Sequence, residues 1–348
     1  MGRVGYGTLR TGVAAGISAA LIASMAPGAA QALPTWTVPG PGLEQAWEAG
    51  TAGKVYDGDT LRVNITSSSS QYTGAQRVRT IGINAPEVAH DSQGEQCGAA
   101  QAETALRGLV PKGTPLQLRA LYDTSYDGDR GRVVRSIYAQ DTEGNWFDTA
   151  RQLVSDGRAL WFPHKATLAD NPEWAHNLEY RVLADDAKAG RRGLWSPGYC
   201  GSSPSANLRM SVSWDQSVDG HEKVFIFNDA SSSISLAGWT MRDSALNLYR
   251  FPGNAYIPGR GSIEIRYTNG TNDPAAGVYY AGNETWFDNL PADNPHFAGD
   301  SVYLMDNAGS YETGNMRAWF PYPCNPDECG DPLVGALNVL EPSAGDWA

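Results

Sequence analysis

Four short polar segments in the first half of the chain carry side chains that hydrolysis of a phosphodiester would require. They are Asp57-Gly58-Asp59-Thr60, Arg79, Asn84-Ala85-Pro86-Glu87 and Gly131-Arg132. Taken alone, each segment is typical of a hairpin turn, a strand or a loop, because Asp-Gly pairs and prolines are common in turns. Their order along one chain is what points to a shared site.

Phosphodiester cleavage needs three kinds of group, and these segments contain all three. A hard cation needs oxygen ligands, and Asp59 offers a carboxylate on a hairpin. An attacking water needs a base, and Glu87 follows a proline that stiffens its turn. The charge that accumulates around phosphorus needs planar, permanently charged donors, for which Arg79 and Arg132 are suited.

The elements that would position these residues are mostly strands. Turn residues and alternating side chains predict strands over Val55–Tyr56, Thr60–Ile65, Arg77–Ile83, Leu116–Leu121 and Val133–Tyr138. Apolar residues at helical spacing predict helices over Gly94–Val110, Thr149–Ser155 and Glu173–Ala189. Residues 33–53 contain proline and glycine without a clear period, so they are interpreted as a lead-in to a domain of residues 54–200.

A Gly/Ser/Pro-rich linker at residues 201–206 precedes a half of different composition. Residues 33–202 hold 17 basic and 20 acidic side chains, whereas residues 203–348 hold 7 basic and 18 acidic ones. Turn residues at intervals typical of β-sandwiches predict an all-β domain over residues 207–341, followed by a tail at 342–348. Its predicted strands are Lys223–Phe227, Ile234–Arg242, Leu248–Phe251, Ser262–Tyr267, Val278–Tyr280, Ser301–Met305 and Met316–Phe320.

The charge of the chain limits its function. The formal net charge is −12, which argues against a basic nucleic-acid coat and against a polybasic membrane binder. It does not exclude an enzyme that touches a polyanion through a few arginines and a metal ion. Charged residues make up 18% and hydrophobic residues 41% of the chain, which argues against a disordered protein.

The N-terminus has the features of a cleaved secretory signal at residues 1–32. Arg3 and Arg10 precede the apolar segment Gly12–Met25, and Ala30-Gln31-Ala32 supplies the small residues of a cleavage site. The alternatives are an amphipathic helix or a membrane anchor, but the apolar segment is short for a bilayer span. We therefore expect a secreted, extracellular protein without a membrane anchor, and a monomer.

The chain contains four cysteines, an even number that suggests two disulfides in a secreted protein. Three pairings are possible. Cys97–Cys200 is favoured because both residues fall in the first domain, and Cys324–Cys329 because Asn-Pro-Asp-Glu between them forms a natural turn. A zinc site is the alternative, but it would need four converging Cys or His ligands.

The first domain resembles the thermonuclease, or staphylococcal nuclease-like, family over about Lys54 to Tyr199. The resemblance lies in five ordered blocks, which are VYDGDTLRV (55–63), VRTIGINAPE (78–87), DRGRVVRSIY (129–138), LVSDGRA (153–159) and ADDAKAGRRGLWS (184–196). It implies a five-stranded oligonucleotide-binding-type barrel with helices, a bound Ca²⁺ ion, and hydrolysis of DNA and RNA.

The resemblance also implies a role for each site residue. The metal ligands would be the Asp59 carboxylate, the Asn84 amide oxygen and the Ala85 carbonyl, with Asp57 adding a charge behind them. Glu87 would activate water, and Arg79 and Arg132 would hold the phosphate. The sequence departs from the family in two places. Asn84 stands where the family usually has a second metal-binding aspartate, and the Arg132 block lacks an aromatic residue between Arg130 and Gly131.

The second half resembles the lamin-tail domain, an immunoglobulin-like sandwich appended to secreted bacterial enzymes. The resemblance rests on GWTMRDS (238–244), the later Phe-Pro and Pro-Gly turns, and the GDSVYLMD strand (299–306). It implies a binding or spacer module for an unidentified surface or extracellular ligand.

Two functions are consistent with the whole sequence. The first is a secreted, calcium-dependent endonuclease or phosphodiesterase whose substrates are DNA and RNA. The second is a non-catalytic extracellular adhesion or binding protein that retains a nuclease barrel. Asn84 and the acidic charge favour the second, whereas Glu87, Arg79 and Arg132 in register favour the first. Since these residues all precede the linker, the first domain is expected to act by itself.

Overall fold

The computed structural model describes residues 47–67, 72–89, 94–119, 131–162, 174–196, 200, 207–213, 223–244, 247–282, 300–306 and 314–322. The predicted signal segment, the linker and the tail lie outside these ranges. Among the described residues, no helix is both long enough and apolar enough to cross a bilayer.

The first domain alternates strands with three α-helices. The strands are β1 (Trp47–Val55), β2 (Thr60–Ile65), β3 (Gly74–Thr80), β4 (Ile83–Asn84), β5 (Pro115–Arg119), β6 (Val133–Gln140), β7 (Trp146–Asp148) and β8 (Leu160–Trp161). The helices are α1 (Ala99–Leu109), α2 (Thr149–Ser155) and α3 (Trp174–Ala189), and a 3₁₀ turn follows at Gly193–Trp195.

Five of these strands form a closed barrel, as predicted. They are hydrogen-bonded in the order β3-β2-β1-β5-β6, and a parallel pairing of β3 with β6 closes the ring. The other neighbours in the ring are antiparallel. The interior is filled by side chains that are buried almost completely, including Leu61, Val63, Val78, Leu118 and Ile137.

The start of the barrel differs from the prediction. Strand β1 begins at Trp47, inside the segment interpreted as a lead-in without regular structure, and pairs with β5 from its first residue. Two features conceal this strand in the sequence. Glu48 is a charged residue at a buried position, where its carboxylate pairs with Arg135 of β6 at 2.6 Å between Oε2 and Nε. Gly50 takes a position where a Cβ would lie 2.7 Å from Val63.

Helices α2 and α3 follow the predicted bounds closely, whereas α1 begins at Ala99, five residues after the predicted start at Gly94, because Gly98 before it has a left-handed φ of 96°. Helix α1 buries Ala99, Ala102 and Leu106, which the helical spacing placed on one face. Helix α2 has the predicted bounds and begins after Asp148, whose carboxylate accepts hydrogen bonds from the backbone N–H groups of Ala150 and Arg151. This is the N-cap arrangement that satisfies the first donors of a helix.

A disulfide joins Cys97, just before α1, to Cys200, at the end of the first domain, which confirms the predicted pair. The second predicted pair, Cys324–Cys329, lies outside the described residues and stays a prediction.

The second domain consists of β-strands. They are β9 (Leu208–Ser213), β10 (Lys223–Asn228), β11 (Ile234–Ser235), β12 (Thr240–Arg242), β13 (Leu248–Arg250), β14 (Tyr256–Ile257), β15 (Gly261–Arg266), β16 (Val278–Tyr280), β17 (Asp300–Met305) and β18 (Met316–Tyr322). Two four-stranded sheets, in the orders β16-β15-β10-β9 and β13-β12-β17-β18, enclose a common apolar core. This is the predicted sandwich. The predicted strand Ile234–Arg242 is divided into β11 and β12, because Gly238 turns the chain with a φ of 75°.

Two neighbouring strands of one sandwich sheet, β17 and β18, contact apolar cores on both faces. Along β17, Val302 and Leu304 belong to the core of the sandwich, whereas Tyr303 and Met305 belong to the core of the barrel domain. Met316 and Trp319 of β18 lie in the same barrel cluster. The two domains therefore share a hydrophobic contact, and all described residues belong to one compact unit that runs from Trp36 to Ala348.

We expect the Cys97–Cys200 bridge to stabilise the first domain strongly. The two residues are 103 positions apart. In the chain-entropy model, closing a loop of that length contributes about 4–5 kcal/mol. Replacing both cysteines by serine should lower the free energy of unfolding by about this amount, measured by urea denaturation of the purified proteins. Equal stability of the two proteins would contradict the expectation.

Gly58, in the turn between β1 and β2, should not tolerate a side chain. A Cβ at this position would lie 2.5 Å from the Cβ of Ala102 and 2.6 Å from that of Ala85. Gly58→Ala should therefore destabilise the protein by about 1–3 kcal/mol. Gly108→Ala is the matched control, because a Cβ there meets nothing within 4 Å and alanine favours a helix. A Gly58→Ala protein as stable as the control would show that the turn can shift freely.

Candidate active site

The turn between β1 and β2 places two aspartates at one end of the barrel. Asp57 Oδ1 accepts a hydrogen bond of 3.0 Å from the backbone N–H of Asp59. The backbone N–H of Tyr56 donates to the carbonyl of Thr60, which closes the turn. Both aspartates are buried, so the turn points its carboxylates into the protein and not toward bulk water.

Asp59 joins three separate segments of the chain. Its Oδ1 accepts a hydrogen bond from Thr60 Oγ1 and lies 2.6 Å from Arg79 Nη1. Its Oδ2 accepts a hydrogen bond of 2.8 Å from the backbone N–H of Ala85. The sequence predicted that Asp59, Arg79 and Ala85 would share a site, and the structure brings them into direct contact. The contact of Ala85 is made by its N–H group, and the metal role of its carbonyl stays a prediction.

The two aspartates differ in their electrostatics. Burial by itself raises the pKa of Asp59, but Arg79, the Ala85 N–H group and Arg132 outweigh it, so the pKa of this carboxyl lies below its usual value. Burial raises the pKa of Asp57 to about 7, and the charges of Asp59 and Glu87 act in the same direction. The site therefore combines one carboxyl group whose pKa is lowered with one whose pKa is raised to about 7.

The pairing of β3 with its neighbours places both predicted arginines at this end of the barrel. Arg79 of β3 lies between Thr60 of β2 and Val134 of β6, and Arg132 directly precedes β6. Arg79 Nη2 donates to the carbonyl of Ile83, and its side chain is mostly buried. Arg132 is half-buried and attracts Asp59 electrostatically.

Glu87 is held by a residue that the sequence did not single out. The backbone N–H of Glu87 donates to Gln96 Oε1 over 3.1 Å, and the backbone N–H of Gln96 donates to the carbonyl of Glu87 over 2.9 Å. The side chain of Glu87 is half-exposed and lies within electrostatic reach of Asp57. No local pattern in the sequence marked Gln96, because a polar loop residue has many possible partners.

Asn84 uses both ends of its amide within the protein. Its Oδ1 accepts a hydrogen bond of 3.3 Å from Arg79 Nη2, and its Nδ2 donates one of 2.8 Å to the hydroxyl of Tyr303. Tyr303 belongs to the second domain, and its hydroxyl also hydrogen-bonds to Ser244. The metal-binding role that the resemblance implied for Asn84 stays a prediction.

The carboxylates around Asp57 match only part of what a hard cation such as Ca²⁺ requires. Asp59 and Glu87 are carboxylates close enough to Asp57 to raise its pKa, and carboxylate oxygens are the ligands that calcium prefers. Among the residues that the structure describes, however, no three His, Cys, Asp or Glu side chains gather into a group that could hold a metal ion.

Comparison with protein families agrees with this arrangement. A family model described as a staphylococcal nuclease homologue matches residues 77–197, and one described as a lamin tail domain matches residues 202–322. No match was found among curated proteins. The nuclease match contains Arg79, Glu87 and Arg132, while Asp57 and Asp59 precede it and reach the site through the pairing of β2 with β3. The chain thus contains a staphylococcal nuclease homologue domain followed by a lamin tail domain.

Proposed function

We propose that this protein is a secreted, calcium-dependent nuclease that hydrolyses phosphodiester bonds of DNA and RNA. The observation that carries the proposal is the convergence of Asp59, Arg79 and the Ala85 segment, with Arg132 and Glu87 within electrostatic reach of the two aspartates. This is the combination of anionic ligand, cationic phosphate donors and base that phosphodiester hydrolysis needs.

Each residue then has a defined task. Asp59, supported by Asp57, would hold the calcium ion, which when bound polarises the phosphate and neutralises part of its charge. Arg79 and Arg132 would donate hydrogen bonds to the phosphoryl oxygens, where negative charge increases as water attacks. Glu87 would take a proton from that water while the water oxygen bonds to phosphorus. The ester P–O bond then breaks, and the leaving oxygen takes a proton from solvent water. Water and the substrate phosphate would complete the coordination of the ion.

Two features support our proposal that the protein is exported from the cell. Residues 1–32 have the composition of a cleaved signal, and the Cys97–Cys200 bridge is typical of proteins that fold in oxidising compartments. We propose an extracellular location, where calcium is abundant and a weak calcium site would be filled. The ligand of the lamin tail domain is proposed to be a surface or extracellular molecule.

The alternative function is that of a non-catalytic extracellular binding protein that retains the nuclease barrel. It is favoured by the amide of Asn84, which bonds to Arg79 and Tyr303 and brings no charge to the cation site. Incubation of the purified protein with plasmid DNA and with RNA, with calcium or with a chelator, separates the two functions. Intact nucleic acid under every condition would favour the binding protein.

Glu87→Gln should remove the base and leave the fold in place. Loss of a positioned general base typically lowers a rate about 10²–10⁴-fold, and we expect a decrease in this range for plasmid cleavage. Glu95→Gln is the matched control, because it replaces a carboxylate by an amide at a nearby position whose side chain is exposed. Cleavage by Glu87→Gln at nearly the wild-type rate would show that Glu87 is not the base.

Calcium should be required for cleavage and should bind weakly. Because the amide of Asn84 brings no negative charge, half-maximal activity is expected at about 10⁻⁴–10⁻³ M Ca²⁺, the range of extracellular calcium sites. A calcium chelator should stop cleavage, and excess Ca²⁺ should restore it. Mg²⁺ at equal ionic strength serves as the control for simple charge screening. Undiminished cleavage in the chelator would contradict the calcium requirement.

A further inference from the structure

The lamin tail domain reaches the candidate active site at two points. Tyr303 of β17 and Arg242 of β12 lie on neighbouring strands, in register with each other. Tyr303 accepts the hydrogen bond from Asn84, and Arg242 Nη2 donates one of 3.1 Å to Gln96 Oε1. The sequence predicts that the first domain acts by itself, but these contacts oppose that expectation. We propose that the lamin tail domain completes the nuclease site, with Tyr303 and Arg242 as positioning residues for Asn84 and Glu87. The inference rests on the nuclease function proposed above.

The first connection is a chain of polar contacts from Tyr303 in the second domain to the carboxylate of Asp59. Tyr303 binds the amide nitrogen of Asn84, Asn84 accepts from Arg79, and Arg79 pairs with Asp59. Tyr303, Asn84 and Asp59 are all buried, so these polar groups cannot exchange their partners for water without cost. The position of Arg79 beside Asp59 therefore depends in part on a hydroxyl from the second domain.

The same connection explains why an amide suits position 84. An amide donates through nitrogen and accepts through oxygen, so Asn84 can link the Arg79 guanidinium to the Tyr303 hydroxyl. A carboxylate at this position would compete with Asp59 for the charge of Arg79. The neutral side chain leaves that charge directed to Asp59, 2.6 Å away.

The second connection runs from the second domain to the proposed base. Gln96 Oε1 accepts hydrogen bonds from Arg242 Nη2 and from the backbone N–H of Glu87, each 3.1 Å long. Arg242 is itself fixed, because Nη1 donates to the carbonyl of Asp243 and the guanidinium lies 4.1 Å from the centre of the Tyr303 ring. The stacking of Arg242 on Tyr303 joins the two connections into one unit.

Apolar packing holds this unit against the barrel. Met305, Met316 and Trp319 of the second domain are buried in the same cluster as the barrel core. Burial of such side chains contributes about 1.5–3 kcal/mol each, so the contact is a stable part of the fold and not a passing encounter. A folded protein therefore presents Tyr303 and Arg242 to the site continuously.

The first test removes one oxygen atom. Tyr303→Phe keeps the ring beneath Arg242 but cannot accept from Asn84. Since small displacements of reacting groups are costly, we expect kcat for plasmid cleavage to decrease about tenfold while KM changes less than about twofold. Tyr249→Phe is the matched control. Its ring packs on Phe251 in the sandwich core, and its hydroxyl has no hydrogen-bond partner within the described part of the chain. Equal kcat values for the two variants would overturn the proposal.

The second test removes the guanidinium. Arg242→Met keeps an apolar stem over Tyr303 but releases Gln96, so kcat should again decrease about tenfold, with the circular dichroism spectrum unchanged. Arg209→Met is the matched control, because Arg209 pairs with Asp229 and lies over the ring of Phe227 in the same domain. A wild-type kcat for Arg242→Met would refute the connection through Gln96.

The third test does not depend on catalysis. A double-mutant cycle of Asn84→Ala and Tyr303→Phe, measured by urea unfolding without added metal, should show coupling of about fivefold in the unfolding equilibrium constant. Additive effects would overturn the inference whether or not the wild type cleaves DNA. A wild type that shows the coupling but does not cleave would instead refute the proposed nuclease function, and with it the catalytic meaning of the contact.

Discussion

The buried carboxylate of Asp59 is the interaction on which the nuclease half depends. A carboxylate without partners in the protein interior would be strongly unfavourable, so its environment has to supply donors. Those donors come from β2, β3 and the segment after β4, through Thr60, Arg79 and Ala85. The carbonyl of Asp59 also accepts from the N–H of Thr80, which ties the turn to the end of β3. The contacts that hold Asp59 therefore also hold the barrel strands together at this end.

The residues that carry the chemistry could be predicted from the sequence because they lie in short, ordered blocks. The blocks place Asp59, Arg79 and Ala85 in one site, where the structure shows them in contact, and the apolar spacing of α1 predicts its buried face. The start of β1 could not be predicted in the same way. A charged residue, Glu48, is buried near the start of this strand. Its charge is compensated by Arg135, which lies 87 positions away in the chain. Local patterns do not reveal such pairs.

The contact between the domains was hidden for a related reason. Tyr303 and Arg242 look like ordinary strand residues of a sandwich, and their partners Asn84 and Gln96 lie more than 140 positions earlier. One signal was present in the segment Val302–Met305, which is apolar at four successive positions, whereas a half-exposed strand would alternate. An uninterrupted apolar strand indicates burial on both faces, and the barrel domain covers the second face here.

The position of the disulfide makes the docking of the second domain depend on the redox state of Cys97 and Cys200. Cys97 follows Gln96 directly, and Cys200 is separated from Asn207 by only six residues. The bridge therefore anchors the start of the interdomain connection next to the residue that receives Arg242. A connection this short spans at most about 25 Å, which keeps the local concentration of the second domain at its docking surface high. Reduction of the bridge would lengthen the effective tether and lower that concentration, so assembly of the two-domain site is thermodynamically linked to oxidation of this pair.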